Sequence, residues 1–294
     1  MPDLARELLK GAIDLHIHTA PDIVPRRLDD FGLAEAARAA GMAAIVLKSH
    51  HMLTADRAQL AEKAVPGVRI LGGLALNVPA CGGLNPEAVK VAIRMGAKTI
   101  WLPTLSAANH IERTRSRVTG NLGVMSSGFK PLPARVLDEA GAVCPELQEI
   151  LALIADADIL LATGHLSVAE IGVVVDAALA AGVRKIVVNH PDLWLIDMDV
   201  AEQRRLAARG VMLELCVRSL TAPGHGVASA TDLARQIRAV GPAHVVMATD
   251  LGQRECPPPA DGLCWYIAQM LECGISPAEI AQMTKANPAR LLGL

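Results

Sequence analysis

Aromatic residues are scarce: Phe31, Phe129, Tyr266 and three tryptophans are all that 294 residues contain. So few rings speak against a large stacking pocket for nucleobases or polyaromatic ligands. Although 52% of the residues are hydrophobic, no stretch approaches the roughly 18 uninterrupted apolar residues of a membrane span, and no membrane partner is expected. An excess of one charge is also missing. The 28 basic and 30 acidic residues leave a net charge of -2 with no basic stripe, which excludes the usual electrostatic footprint for nucleic acid. Cys81, Cys144, Cys216, Cys256, Cys264 and Cys273 include no CxxC pair. Their spacing argues against a zinc ribbon or a disulfide framework and for reduced thiols. The opening MPDLARELLKGAIDLHIHTAPD lacks the charged, apolar and small-residue order of a secretory signal. A cytoplasmic protein acting on a small, neutral or anionic metabolite is therefore expected. No GxGxxG loop follows the first apolar run, so the dinucleotide fingerprint is absent.

What is present is alternation. Eight short apolar runs rich in β-branched residues begin at Ala12, Ala43, Val68, Thr99, Ile159, Lys185, Val211 and Val245. Helix-like stretches such as GLAEAARAAG and DVAEQRRLAARG separate them, several ending at a glycine suited to a helix C-cap. This order predicts an α/β protein with parallel strands joined by crossover helices. An open doubly wound sheet shares the local pattern, but the polar residues favour a closed (β/α)8 barrel. His16, His18, Lys48, His50, His165, His190 and Asp250 all fall at C-terminal ends of predicted strands, where barrel active sites are built. Residues 1–294 read as one such domain with a loop and hairpin insertion at about 106–145, taken as a lid or substrate loop. The apolar helix GVVVDAALAAG serves equally as core or as the face of a homo-oligomer.

In IDLHIHT, strand alternation puts His16 and His18 on one face, a ready chelate of two imidazoles. GHLS and VNHP add His165 and His190 from the fifth and sixth strands. ATD puts Asp250 on the eighth strand, beside the first once the barrel closes. Any one of these residues alone reads as a core histidine or a turn-forming aspartate; together they make a metal set with its own general base.

In this order and on these strands, His16, His18, His165, His190 and Asp250 resemble the ligand set of the amidohydrolase superfamily, whose members are TIM barrels. The closing KANPARLLGL is similar to the family's last helix. The resemblance implies a metal-dependent hydrolase that cleaves an amide, cyclic amide, lactone or ester bond of a small-molecule substrate, with Asp250 as general base. It implies one or two divalent ions, zinc by ligand type, with manganese or iron as alternatives. A decarboxylase of the same superfamily and a phosphoesterase are the rival activities.

One departure concerns the bridging ligand, which many members place on the fourth strand and which TIWLPT does not offer. Lys48 could bridge as a carbamate or bind a substrate anion. Glu214 is a second bridging candidate, preferred as a buried, paired barrel carboxylate, and Cys216 shares its face. His50 has the parity of Lys48 and is read as a catalytic proton donor ahead of His51. The expected substrate binders are Asn77, Asn109, His110, Lys130 and Arg218, with Arg26 and Arg27 as further loop cations.

Overall fold

The computed structural model describes residues 2–116, 132–221 and 229–294. Each predicted apolar run contains one strand: β1 (Ile13–His18), β2 (Ala44–Lys48), β3 (Arg69–Ala75), β4 (Thr99–Trp101), β5 (Leu160–Ala162), β6 (Ile186–Asn189), β7 (Met212–Cys216) and β8 (Val245–Ala248). The strands pair in sequence order, every neighbour parallel. The seam closes just beyond β8. There the Asp250 amide donates to the His16 carbonyl (2.9 Å), and the His18 amide donates to the Leu251 carbonyl (2.8 Å). The result is a (β/α)8 barrel, which confirms the closed alternative over the open sheet. Among the described residues no helix is long and apolar enough to cross a membrane.

Strand periodicity divides the core in two. One apolar cluster fills the barrel interior with Val46, Trp101, Val187, Met212 and Val246, plugged from below by Leu291 and Leu292 of the last helix. A larger cluster lies between the strands and the surrounding helices and includes Ile45, Leu47, Val188, Leu213 and Met247. Side chains two or four residues on from the interior set therefore point inward nearer the C-terminal rim, and these include Lys48, Asn189, Glu214 and Cys216. The last helix is pinned by Asn287, whose Nδ2 donates to the carbonyls of Pro242 (2.8 Å) and Val245 (2.7 Å).

β1 does not alternate simply. Ile13 and Leu15 belong to the interior cluster, whereas Ile17 belongs to the outer one. Its register against β2 slips by one residue between Asp14 and Ile17, a β-bulge. The extra residue reverses the phase, so His16 and His18 face inward although Leu15 does too. Bulges of this kind re-aim side chains beside active sites. Buried Asp14 holds the bulge, accepting from the His16 amide and from both the amide and the hydroxyl of Thr249.

The segment 106–145 is not loop throughout. Ala108–Ser116 is helical, and Leu137 bridges Val143 in the expected hairpin. The base of the segment is closed by Ala134, whose amide donates to the Ser106 carbonyl (2.7 Å). Lys130, and the stretch of the proposed lid around it, lie outside the described residues.

Gly252 sits at the β1–β8 seam with φ +136°, and a Cβ there would collide with the His18 carbonyl. Gly210, with φ +85°, has open space around it. Gly252→Ala is expected to destabilise the protein by more than the ~1–2 kcal/mol that a left-handed conformation costs a residue with a Cβ, whereas Gly210→Ala stays within it. Urea denaturation of the two variants measures the difference.

Candidate metal centre

The bulge in β1 and the turn after β8 bring three ligand atoms together. Asp250 Oδ1 lies 3.0 Å from His16 Nε2 and 3.2 Å from His18 Nε2. Asp250 adopts a left-handed backbone (φ 53°), as does His190 (φ 29°). Strained conformations of this sort persist where the surrounding structure over-determines them. Lys48 Nζ, also buried, lies 2.9 Å from His16 Nε2. On its other nitrogen, His16 Nδ1 is 3.1 Å from Glu214 Oε2, which also accepts from Asn189 Nδ2 (2.6 Å). A carboxylate on Nδ1 fixes a proton there and directs Nε2 toward Asp250 and Lys48. Glu214 is thus a paired carboxylate that orients His16.

Five imidazoles form a closed ring around this point. Successive centroids are 5.4 Å apart for His16–His18, 4.8 Å for His18–His50 and 5.9 Å for His50–His165. His165–His190 at 5.0 Å and His190–His16 at 5.9 Å complete it. All the sequence-predicted metal residues are therefore gathered on one rim.

The electrostatics suit a cation. Burial, against which the nearby carboxylate works in part, pushes His18 down to about 3 and His190 down to about 4. His50 and His165 are also lowered, by burial first and then by neighbouring charges. These rings are neutral at pH 7, with lone pairs to give. For Asp250, burial opposes ionisation, but the bonds and charges of His16 and His18 hold it well below the usual carboxylate range. His16 is the exception. Burial and Lys48 lower its proton affinity, yet Asp250 and Glu214 raise it further, to about 9. Two carboxylates thus hold a positive charge at the point where the ligand atoms meet. The buried Nδ1 atoms of His18 and His190 have no partner among the described residues. Imidazole and carboxylate donors within 4.8 Å of one another, with unpartnered nitrogens nearby, fit a divalent ion. Cys216 shares a second cluster with His16 and Glu214, but burial and nearby carboxylates push its thiol well up, so it stays protonated.

His50 is set by a hydrogen-bond chain with only one consistent proton order. Asn77 Oδ1 accepts from the Thr104 and Ser106 amides (2.9 Å each), which fixes the orientation of its side-chain amide. Asn77 Nδ2 then donates to the His50 carbonyl (2.9 Å) and to Thr104 Oγ1 (2.6 Å). The Thr104 hydroxyl, which has no other acceptor among the described residues, donates to His50 Nδ1, 2.8 Å away. The His50 proton therefore sits on Nε2, and His50 lines the cavity over the rim. A neutral ring in this tautomer is a hydrogen-bond donor.

Two expected substrate binders serve as scaffold instead. Asn77 spends its whole side chain on the chain just described. Asn109 Nδ2 staples the carbonyls of His165 (3.0 Å) and Leu195 (2.8 Å). His110 lies beneath His165 with its Nδ1 2.8 Å from the His165 Nδ1, and it also borders the cavity. Arg218 lines the cavity and donates to Cys256 Sγ (3.0 Å). Arg26 faces the cavity, whereas exposed Arg27 turns to the Arg254 carbonyl (3.0 Å). Neither the bulge nor the Asn77–Thr104 chain was anticipated; the Asn beside His190 in VNHP was the one sequence signal for the support of Glu214. The cavity measures about 470 Å³.

These burials generate a pH dependence in the metal-free protein. His18, His110 and His190, lowered to about 3, 4 and 4, stay neutral when folded but take up protons near 6.5 when unfolded. Their contribution to stability is therefore full above pH 6.5 and is lost as pH falls from there toward 4, by ~1.4 kcal/mol per pH unit for each ring. The raised His16 titrates in the opposite sense above this window, and buried Asp14 and Asp192, raised to about 7 and about 6, oppose the loss within it. The histidine contribution is isolated by difference: the stability of wild type minus that of His110→Gln should fall as pH is lowered from 6.5 toward 4, and a difference that stays flat contradicts the burial of a neutral ring at that position.

None of the curated proteins matches the sequence. Among solved structures, a probable dipeptidase, PvdM, from Pseudomonas aeruginosa is 12% identical with a TM-score of 0.65, covering 99% of this chain and 97% of that one. An amidohydrolase from Pseudomonas aeruginosa is 12% identical with a TM-score of 0.63, covering 98% of each. A 2,6-dihydroxybenzoate decarboxylase from Rhizobium is 13% identical with a TM-score of 0.54, covering 97% and 99%. The barrel is thus the fold that these three structures share. Residues 11–214, which carry every rim residue discussed except Cys216 and Asp250, match the model of a family of unknown function, DUF6282, and the chain belongs to that family.

Proposed function

We propose that the protein is a metal-dependent hydrolase that cleaves an amide, cyclic amide, lactone or ester bond of a small metabolite. What carries this function is the convergence of Asp250 Oδ1 with His16 Nε2 and His18 Nε2 at the floor of an open cavity. His16, His18 and Asp250 would hold a divalent ion, with His165 and His190 available for a second; zinc fits these donors, and manganese or iron are alternatives. Such an ion supplies Lewis acidity, polarising a carbonyl and lowering the pKa of a bound water from 15.7 toward ~7.

The protein's own groups divide the remaining work. Asp250, held ionised by two histidines, accepts the proton of the attacking water and returns it to the leaving nitrogen or oxygen. Glu214 keeps His16 Nε2 aimed inward, where it would bind an ion once its proton is displaced. His50 donates its Nε2 hydrogen to the oxygen that becomes negative as the carbonyl is attacked. Lys48, whose affinity for a proton is lowered by burial, could serve as a carbamate ligand or bind a substrate anion. A decarboxylase is the second reading, favoured by a β4 that ends in Trp101 and brings no bridging acid or lysine. We place the enzyme in the cytoplasm, from its six dispersed cysteines.

Elemental analysis should find one or two divalent ions per chain, lost in His16→Ala and Asp250→Asn. A fall from two to one in Lys48→Ala identifies a bridge. No ion in wild type, even after reconstitution with zinc and manganese, would end the proposal. Assayed on an amide, lactone and ester panel, His50→Ala should lose roughly 10²-fold in kcat with its metal content intact, the magnitude of one oxyanion donor. Loss of metal from that variant would make His50 a ligand instead.

A further inference from the structure

The cavity wall opposite in character to the histidine rim is the segment after β1, and its central side chain is Arg26. Arg26 is only 5% exposed, and its carboxylate partner, Asp22, is fully buried. Asp22 Oδ2 accepts from Arg26 Nε (2.8 Å) and pairs with Nη2 (2.7 Å). Asp22 Oδ1 faces His51 Nδ1 (3.1 Å) and accepts from the Ile23 amide (2.6 Å). Two of the three guanidinium nitrogens are thereby fixed, and the third, Nη1, has no hydrogen-bond partner among the described residues, although Arg26 lines the cavity. Burial would raise Asp22, but His51 and Arg26 together hold it ionised, so the guanidinium is locked in place by charge as well as by geometry.

The segment that carries Arg26 is itself held rigid. Arg57 reaches across from the helix Ala55–Ala64 and donates to both oxygens of Asp30 (2.6 and 2.8 Å) and to the carbonyls of Ala20 (3.0 Å) and Pro21 (2.9 Å). Arg26 lies close enough to the rim for its charge to bear on His18, His50 and Lys48. Arg218 is a second cation on the wall, and Ile23, Leu105, Leu193 and Leu195 give the rest an apolar surface. An arginine so pre-ordered, with a donor edge left over, is suited to a planar anion.

We infer that Arg26 anchors a carboxylate of the substrate, and that the substrate is a small acid bearing an apolar group beside its scissile bond, such as an N-acyl amino acid or a cyclic amide with a free carboxylate. This deepens the hydrolase reading and depends on it only for the bond that is broken. The carboxylate binds at Arg26 Nη1, with Asp22 holding the guanidinium from behind. The scissile carbonyl is thereby directed toward the histidine rim, and the apolar group lies against Leu193 and Leu195.

Calorimetric titration of the metal-loaded protein tests this with N-acetylglycine, N-acetylleucine and N-benzoylglycine, each against its neutral primary amide. Wild type should prefer at least one acid over its amide by roughly ten- to hundredfold, the worth of a charged hydrogen bond. Arg26→Gln should reduce that ratio to about one, while Arg27→Gln, outside the cavity, leaves it unchanged. Because Arg26→Gln strands a buried carboxylate, Asp22→Asn/Arg26→Gln is measured beside it and must give the same loss. No preference in wild type for any pair, or a preference that survives in either Arg26 variant, overturns the anchor; survival would show the acid bound to the metal itself. Metal content and turnover are read in parallel. An acid preference that depends on Arg26 in a protein that hydrolyses nothing keeps the anchor and removes the hydrolase, whereas turnover without the preference does the reverse.

Discussion

The seam between β1 and β8 ties the fold to its chemistry. The Asp250 amide closes the barrel on the His16 carbonyl, and the side chain of the same residue meets the rings of His16 and His18. Barrel closure and ligand convergence are therefore one event: a strand that failed to close would leave three buried polar groups without each other. Asp14 and Thr249 reinforce the same seam from below, which is why the bulge in β1 can reverse the side-chain phase without loosening the sheet. Gly252 lets the chain pass close to the His18 carbonyl, two residues beyond the side chain that meets both rings.

Burying so many imidazoles has an electrostatic cost that the site distributes unevenly. His18, His50, His165 and His190 give up their charge on burial and become donors of lone pairs or of single N–H groups. His16, flanked by Asp250 and Glu214, does not. Glu214 faces its Nδ1 and Asp250 its Nε2, and Lys48 Nζ also lies 2.9 Å from Nε2. A divalent ion at that point would take the place of the proton that the two carboxylates hold on His16, which couples metal binding to proton release.

Much of this was legible in the sequence because it depends on strand ends. Eight apolar runs gave eight strands, and residues at their C-terminal ends had to meet on one rim once the sheet closed, so His16, His18, His165, His190 and Asp250 converge as expected. The bulge was not legible, since period-two alternation treats Leu15 and Ile17 alike, and only the register against β2 separates them. Loop polar residues were the other gap. Asn77, Asn109, Arg26 and Arg27 share a position just beyond a strand, yet two are spent on backbone carbonyls, one turns to solvent and one turns inward. What decides among them is a partner distant in sequence, such as Thr104 for Asn77 or Leu195 for Asn109. For Arg26 the partner is local, and the i, i+4 spacing of Asp22 was the available signal.

The division of labour around the cavity follows from the same physics. Groups that handle the reacting bond come from strand ends, where backbone pairing on both sides fixes direction to fractions of an ångström. Groups that would face the rest of the substrate, Arg26, Leu193, Leu195 and Arg218, come from the connections after β1, β6 and β7, where sequence can vary with less effect on the barrel. A connection can select a substrate only if it is as rigid as the strands, and here buried ion pairs replace hydrogen-bonded neighbours: Asp22 with Arg26, and Asp30 with Arg57. Removing one partner from such a pair leaves a buried charge that is worse than losing both. Selection for the pair therefore acts on both residues together, and the segment from Asp22 to Asp30 is where members of this fold that share the rim can diverge in substrate.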